Sequence, residues 1–356
     1  MTPNDPLDLS IIITTYNRRQ LLQEVVESVL GKLTCTYEII IVDDGSTDDT
    51  RAYLAALGAP CRVVLAEHGG VQAARNLGTG LAQGRYLKFT DDDDVLDPEA
   101  VSSQVAYMEQ HPEIGVGYSD WMFVARTKEG KIKRWFYTMS QIDDPVGYLI
   151  MDWWCPLFVY LFRADAVRGL VWDTSFRVLT DMRFVVEAAL NGVLFGYHPT
   201  APLSLGSYRA LLPRQQRISL AASNAVRTER ELEIMQRMQS RLERDKAWTP
   251  FRIEVLAGRY FGIARRIFPE DKRLFRALIK KTLALQPTFQ PEGKRYRQLI
   301  RWFGYAHAER LRRFSLRLRE GYRALRPPPQ SLSPEGSSPD DIIPIISTGR
   351  TVVPKF

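Results

Sequence analysis

Short β-branched apolar runs alternate with amphipathic helical segments over residues 9–94, and each run ends on a polar loop. The runs are Leu9–Thr14, Tyr37–Val42, Arg62–Leu65 and Tyr86–Thr90. Uninterrupted apolar runs of this length belong to strands covered on both faces. Between the first two, Leu21, Leu22, Val25, Val26, Val29 and Leu30 fall on one face of a helix, and a second helix is predicted from about Val71 to Leu81. The alternation predicts a doubly wound, mostly parallel α/β sheet with flanking helices. Such sheets bind ligands beyond the carboxyl ends of their strands. The loops Thr15–Arg19, Asp43–Asp48, His68–Gly70 and Asp91–Asp94 are therefore expected to face one crevice.

Beyond this region the pattern changes twice. Residues 114–208 break into shorter apolar and aromatic runs, as expected of sheet edges and an acceptor-binding region built onto the first half. Residues 219–326 read as long polar helices. Near their end Leu311, Phe314, Leu318, Tyr322 and Leu325 form an apolar stripe flanked by Arg310, Arg312, Arg313 and Arg317, a basic amphipathic helix. The surplus of the +7 net charge collects here. Residues 327–356 open with three prolines and continue SLSPEGSSPDD, too polar to bury a core, and are expected to be a disordered tail. The expected organisation is thus a catalytic domain over 1–218, a helical basic extension over 219–326 and a tail over 327–356.

Cys35, Cys61 and Cys155 have neither paired spacing nor a neighbouring His in ligand register, so neither a disulfide framework nor a zinc site is indicated. The N-terminal residues lack the basic and apolar regions of an export signal. Leu149–Phe162, the most apolar stretch, is shorter than a bilayer span of about 20 residues and is broken by Asp152 and Pro156. It reads as core. These features place the chain in the cytoplasm. The basic helices could meet anionic lipid at the cytoplasmic membrane face, or pack on the catalytic domain or another subunit, and the sequence leaves the three open. Charge confined to one appended helix, without a recognition motif, argues against nucleic acid.

Asp91-Asp92-Asp93-Asp94, at the end of a buried strand, is the first chemical candidate. Carboxylates there can hold Mg2+ or Mn2+ with coordination positions left for phosphate oxygens. The alternative is a solvated acidic turn ahead of the helix near Pro98, but four successive carboxylates repel one another without a counterion. Asp43 and Asp44 could accept hydrogen bonds from a base or ribose, or simply form an Asp-Gly-Ser turn. Arg75, one turn into the helix after Gly69-Gly70, could reach phosphate oxygens or stand exposed on the helix surface. Asp181 opens a helix with Phe184, Val185, Ala188 and Ala189 inward. It could cap that helix or act as a general base, and from chemistry alone the cap is favoured.

Four segments together resemble the family 2 glycosyltransferases. They are Ser10-Ile11-Ile12-Ile13-Thr14-Thr15-Tyr16-Asn17-Arg18, Ile41-Val42-Asp43-Asp44-Gly45-Ser46-Thr47-Asp48, Gly70-Val71-Gln72-Ala73-Ala74-Arg75-Asn76-Leu77-Gly78 and Phe89-Thr90-Asp91-Asp92-Asp93-Asp94-Val95-Leu96-Asp97-Pro98. The resemblance runs from about Leu9 to Ser219 and implies a GT-A fold. It also implies that Thr14, Tyr16 and Asp44 bind the nucleoside base and Arg75 the diphosphate. Asp91-Asp92-Asp93 would be the family's D-x-D element, with Asp92 near the ribose, Asp93 on the metal with help from Asp91, and Asp94 no more than the start of the next turn. Asp181 falls where inverting members carry their base, although Thr180 replaces the usual Glu before it. Gly206-Ser207-Tyr208-Arg209 is similar to the family's Tyr-Arg segment but lacks the following His, so Arg209, with Arg214 and Arg217, would supply a cation to the diphosphate.

The expected function is inverting transfer of a sugar from a nucleoside-diphosphate sugar, UDP-linked, to a hydroxyl of a glycan or lipid-linked acceptor, with Mn2+ or Mg2+ as cofactor, as in cell-surface polysaccharide synthesis. A nucleotidyltransferase would carry a Gly-rich triphosphate loop after its first strand, which Thr15-Tyr16-Asn17 is not. A non-catalytic sugar-nucleotide-binding relic is the other alternative, favoured by Thr180.

Overall fold

The structure is a computed structural model, and it describes residues 7–126, 132–151, 155–199, 204–205, 223–324 and 343–344. In chain order the first elements are β1 (Leu9–Thr15), α1 (Arg19–Val29), β2 (Tyr37–Asp43), α2 (Thr50–Ala55), β3 (Cys61–Leu65), α3 (Val71–Leu81), β4 (Tyr86–Asp91) and α4 (Pro98–Gln110). Next come β5 (Val116–Ser119), β6 (Trp121–Arg126), β7 (Ile132–Tyr137), α5 (Pro145–Ile150), β8 (Leu161–Arg163), α6 (Thr180–Leu190), β9 (Phe195–His198) and β10 (Ser204–Leu205). The remainder is α7 (Asn224–Arg244), α8 (Pro250–Ile267), α9 (Lys272–Leu285), α10 (Lys294–Ala324) and the two-residue β11 (Ile343–Pro344). The strand and helix alternation read from the first half is present element for element, with β4 extending one residue further, into the aspartate run.

The described residues fall into two compact units, one holding those that lie within 7–146, 155–223 and 343–344 and the other those within 147–151 and 224–324. The first holds a seven-stranded sheet in the order β3-β2-β1-β4-β8-β5-β9. β8 runs antiparallel to both of its neighbours, and the remaining pairings are parallel. Every residue of β1 is buried, because α1 supplies Leu22, Val25, Val26 and Val29 as an apolar cover and α3 adds Ala74. α3 can approach β1 only through Gly78, where an added Cβ would stand 2.6 Å from Ile12 Cγ2. Phe89 of β4 sits among Phe162, Trp172 and Phe184, with ring centroids 5.1–5.8 Å away. This aromatic core fixes the segment before α6 against the sheet. A second sheet of the same unit has the order β10-β6-β7-β11, its central hairpin packed by Trp121 stacked on Tyr137 at 3.9 Å.

The second unit is helical. Ile234, Met235 and Met238 of α7, Leu256, Phe261 and Ala264 of α8, and Phe275 and Leu278 of α9 are buried. Thr249 and Asp271 cap α8 and α9, accepting hydrogen bonds from the amides of Arg252 and Leu274. α10 breaks at Gly304, whose φ of 71° lies outside the helical range. Among the described residues no helix is long and apolar enough to cross a membrane.

Candidate active site

Strand register assembles the site. Thr14 pairs with Asp91 across β1 and β4, and Thr15 pairs with Asp43 across β1 and β2, so the polar strand ends lie side by side. Asn17 then stitches the first two loops. It adopts a positive φ of 52°, donates its amide to Ser46 Oγ at 2.8 Å, and accepts at Oδ1 from the Thr47 amide at 2.7 Å. Asp43 accepts from the Ser46 amide at 3.1 Å and so sets the turn after β2.

Asp44 joins that turn to the third loop. Its Oδ1 accepts from the Gly69 and Gly70 amides at 2.8 and 3.1 Å, and its Oδ2 lies 3.0 Å from His68 Nδ1. Gly45 is required between them, since its φ is 82° and an added Cβ would meet the His68 backbone at 3.0 Å. The exposed ring of Tyr16 lies against His68, with centroids 4.4 Å apart and the planes tilted by 31°. An aromatic pair beside a buried carboxylate offers a flat apolar face and a polar edge. Thr14, near the end of β1, is buried.

The four aspartates divide their tasks. Asp91 ends β4, and the chain turns back at once, the Asp94 amide donating to Asp91 O at 3.1 Å. This turn brings one carboxylate oxygen from each of Asp91, Asp93 and Asp94 within 4.8 Å of the others. An all-oxygen donor set of this kind, at a strand end, fits Mg2+ or Mn2+. Asp94, left as a turn residue by the sequence reading, thus belongs to the cluster. Asp92 points elsewhere, accepting from Thr15 Oγ1 at 2.9 Å and from Arg18 Nη1 at 3.0 Å. Burial pushes its carboxyl up to about 7, partly opposed by Arg18 and reinforced by Asp93. Arg18 also reaches Asp93 Oδ2 at 3.5 Å.

Arg75 is not an exposed helix arginine. It is 4% exposed, its Nη2 donates to Asp91 Oδ1 at 2.5 Å and its Nη1 to Thr180 Oγ1 at 3.4 Å, while the guanidinium lies 4.6 Å over the Trp172 ring. Asn76 holds that tryptophan, exchanging two hydrogen bonds with the Trp172 backbone at 2.9 and 2.8 Å. Thr180, which stands where the resemblance expects Glu, is therefore a partner of Arg75.

Asp181 is the second residue of α6. The N-cap position is Leu179, in the left-handed region, and no side chain caps the helix. Asp181 is half-buried as a residue, and burial of its carboxyl raises its pKa, with Arg75 acting against the rise and Asp91 adding to it. Asp181, Arg75 and Asp91 thus share one electrostatic environment. The structure brings Thr14, Tyr16, Asp44, Arg75, Asp91, Asp92, Asp93 and Asp181 to the carboxyl ends of the strands or to the opening of α6. Arg209, Arg214 and Arg217 lie outside the described residues. Arg18, His68 and Trp172 were missed. Of these Arg18 and His68 left a signal in the sequence, since each lies in a loop expected to face the crevice that holds the four carboxylates, whereas Trp172 left none.

A mostly parallel sheet with one antiparallel strand and ligand loops at the ends of β1, β2 and β4 is the GT-A architecture. Residues 10–166 match the model of Glycosyl transferase family 2. The chain is 29% identical over 209 residues to dodecaprenyl-phosphate galacturonate synthase of Rhizobium johnstonii, covering 54% of this chain and 57% of that protein. It is 34% identical over 116 residues to the UDP-Glc:alpha-D-GlcNAc-diphosphoundecaprenol beta-1,3-glucosyltransferase WfaP of Escherichia coli, covering 32% of this chain and 45% of that protein. It thus spans about half the length of these relatives. The fold is similar to that of S. aureus TarS 1-349 in complex with UDP-GlcNAc, with a TM-score of 0.59 at 15% identity over 89% of this chain and 92% of that one.

Proposed function

We propose that the chain is a metal-dependent, inverting glycosyltransferase that moves a sugar from a nucleoside-diphosphate sugar, UDP-linked, to a hydroxyl of a glycan or lipid-linked acceptor in cell-surface polysaccharide synthesis. The observation that carries this reading is the convergence of Asp91, Asp93 and Asp94 within 4.8 Å, with Arg75 bonded to Asp91. The UDP donor and the lipid-linked acceptor follow the names of the Escherichia coli glucosyltransferase and of the TarS complex.

In this reading the base lies against Tyr16 and His68, near Thr14, with Asp44 holding the loop that carries the histidine. Asp92 approaches the ribose. Asp93, with Asp91 and Asp94, would hold Mn2+ or Mg2+, which supplies Lewis-acid neutralisation of the leaving diphosphate when bound. Arg75 fixes Asp91 and adds positive charge, and Arg209 adds more. Asp181 takes the proton from the acceptor hydroxyl. The freed oxygen attacks the anomeric carbon from the face opposite the diphosphate, the carbon–oxygen bond to the diphosphate breaks, and the configuration inverts. General-base help of this kind is worth on the order of 10²- to 10⁴-fold.

The test is incubation of the full chain with a panel of nucleotide sugars, with and without Mn2+, followed by analysis of the nucleotide released. Free nucleoside diphosphate is the expected product. Pyrophosphate would indicate a nucleotidyltransferase, and binding without any release would indicate a non-catalytic relic.

A further inference from the structure

α10 packs with its polar side. After the break at Gly304, Tyr305, Ala308, Glu309, Arg312 and Arg313 share one face at helical spacing, and Ala308 and Glu309 are fully buried. Glu309 accepts from Tyr296 Oη at 2.7 Å and from Arg312 and Arg313 at 3.0 and 3.1 Å, with Arg265 of α8 at 3.4 Å. The buried side of this helix is thus organised on an ion cluster. Its apolar residues are on the outside, Leu311 44% and Phe314 63% exposed. Ahead of the break, Trp302 and Phe303 stand 68% and 52% exposed at the end of the first half.

Charge gathers on the same element. α10 holds ten Lys and Arg against Glu309 and Glu320, a surplus of eight, while the whole chain carries +7. The rest of the protein is therefore close to neutral. Glu309 is already neutralised by its arginine neighbours, and Lys294, Arg295, Arg297, Arg301 and Arg310 are exposed.

We propose that α10 docks the protein on an anionic lipid surface. Trp302, Phe303, Leu311 and Phe314 enter the boundary between headgroups and acyl chains, and the exposed arginines pair with lipid phosphates. A helix with solvent-facing aromatics and flanking arginines has the composition of an in-plane interfacial helix. The charge surplus supplies the complementarity, since each Lys or Arg near an anionic leaflet contributes about 1 kcal/mol. This inference is independent of the glycosyltransferase reading.

The test is co-sedimentation of the full chain with phosphatidylcholine vesicles, with and without phosphatidylglycerol. Sedimentation with the anionic vesicles, weakened by salt, is expected. The combined variant Trp302→Ser, Phe303→Ser, Phe314→Ser, whose side chains are exposed and whose fold circular dichroism checks, should bind those vesicles about tenfold or more weakly. Failure to sediment with anionic vesicles, or unchanged binding of the variant, overturns the proposal. So does a concentration-dependent dimer in vesicle-free solution that the same substitutions dissolve, because the face would then be an interface between copies.

Discussion

Arg75 donates to Asp91 Oδ1 at 2.5 Å while its guanidinium lies 4.6 Å over the Trp172 ring. A half-buried strand-end carboxylate, a buried helix arginine and an indole are thereby locked as one unit, and only a planar guanidinium can serve both partners. Arg75→Lys should reduce kcat/KM for the nucleotide sugar about ten- to a hundredfold, the value of one charged hydrogen bond. Steady-state kinetics with varied donor measures it. A variant that keeps wild-type kcat/KM would remove Arg75 from the donor site.

Asp181 must be ionised to accept a proton, and burial raises its pKa above the ordinary carboxylate value. The acid limb of the kcat–pH profile is therefore expected above about pH 4, with activity lost as pH falls through it. Asp181→Asn should lower kcat by on the order of 10²- to 10⁴-fold and abolish that limb. Near wild-type turnover in a folded Asn variant would refute the assignment.

Arg18 neutralises Asp92 and reaches Asp93. Arg18→Gln should therefore cost about 1–3 kcal/mol of stability in chelator-treated protein, by leaving a buried carboxylate without its charged partner. Added Mn2+ should restore more stability to the variant than to the wild type, because the guanidinium no longer competes for Asp93. Thermal unfolding across a Mn2+ titration reads both effects, and equal Mn2+ responses would contradict the second.

Lys88 is fully buried in β4, with Nζ donating to Gln104 Oε1 at 2.6 Å, and burial pushes its pKa down to about 7 from 10.5. Between those two values the unfolded chain binds a proton that the folded chain does not, so this lysine's contribution to stability rises with pH across the window. Below about pH 7 the penalty of a buried charge is complete. Lys88→Met should stabilise the protein by about 1–3 kcal/mol at pH 6, and by less at pH 9. Tm differences at the two pH values decide it, and a gain that grows with pH would refute it.

The sheet and its ligand loops were legible because β1, β2 and β4 are continuous apolar runs that end abruptly on polar residues. β8 was not, because a three-residue antiparallel strand has no period to detect. Asp91 to Asp94 were readable as a site but not as individual ligands. The Asp94-to-Asp91 backbone hydrogen bond decides which carboxylates converge, and a run of identical residues does not encode that turn. Trp172 was invisible as a site residue because its contact with Arg75 spans 97 positions and depends on Asn76 holding its backbone. Along α10, apolar periodicity alone suggests a buried Leu311–Phe314 stripe, whereas the ion cluster on Glu309 turns the opposite face inward.

The most direct test of the account is Mn2+ binding measured alongside nucleoside-diphosphate release in the wild type and in Asp93→Asn. The wild type is expected to bind Mn2+ and to lose nucleotide-sugar turnover to a chelator, and the Asn variant, correctly folded, to lose both the ion and the turnover. Wild-type turnover that persists in excess chelator, or an Asn variant that binds Mn2+ and releases the diphosphate as the wild type does, would contradict it.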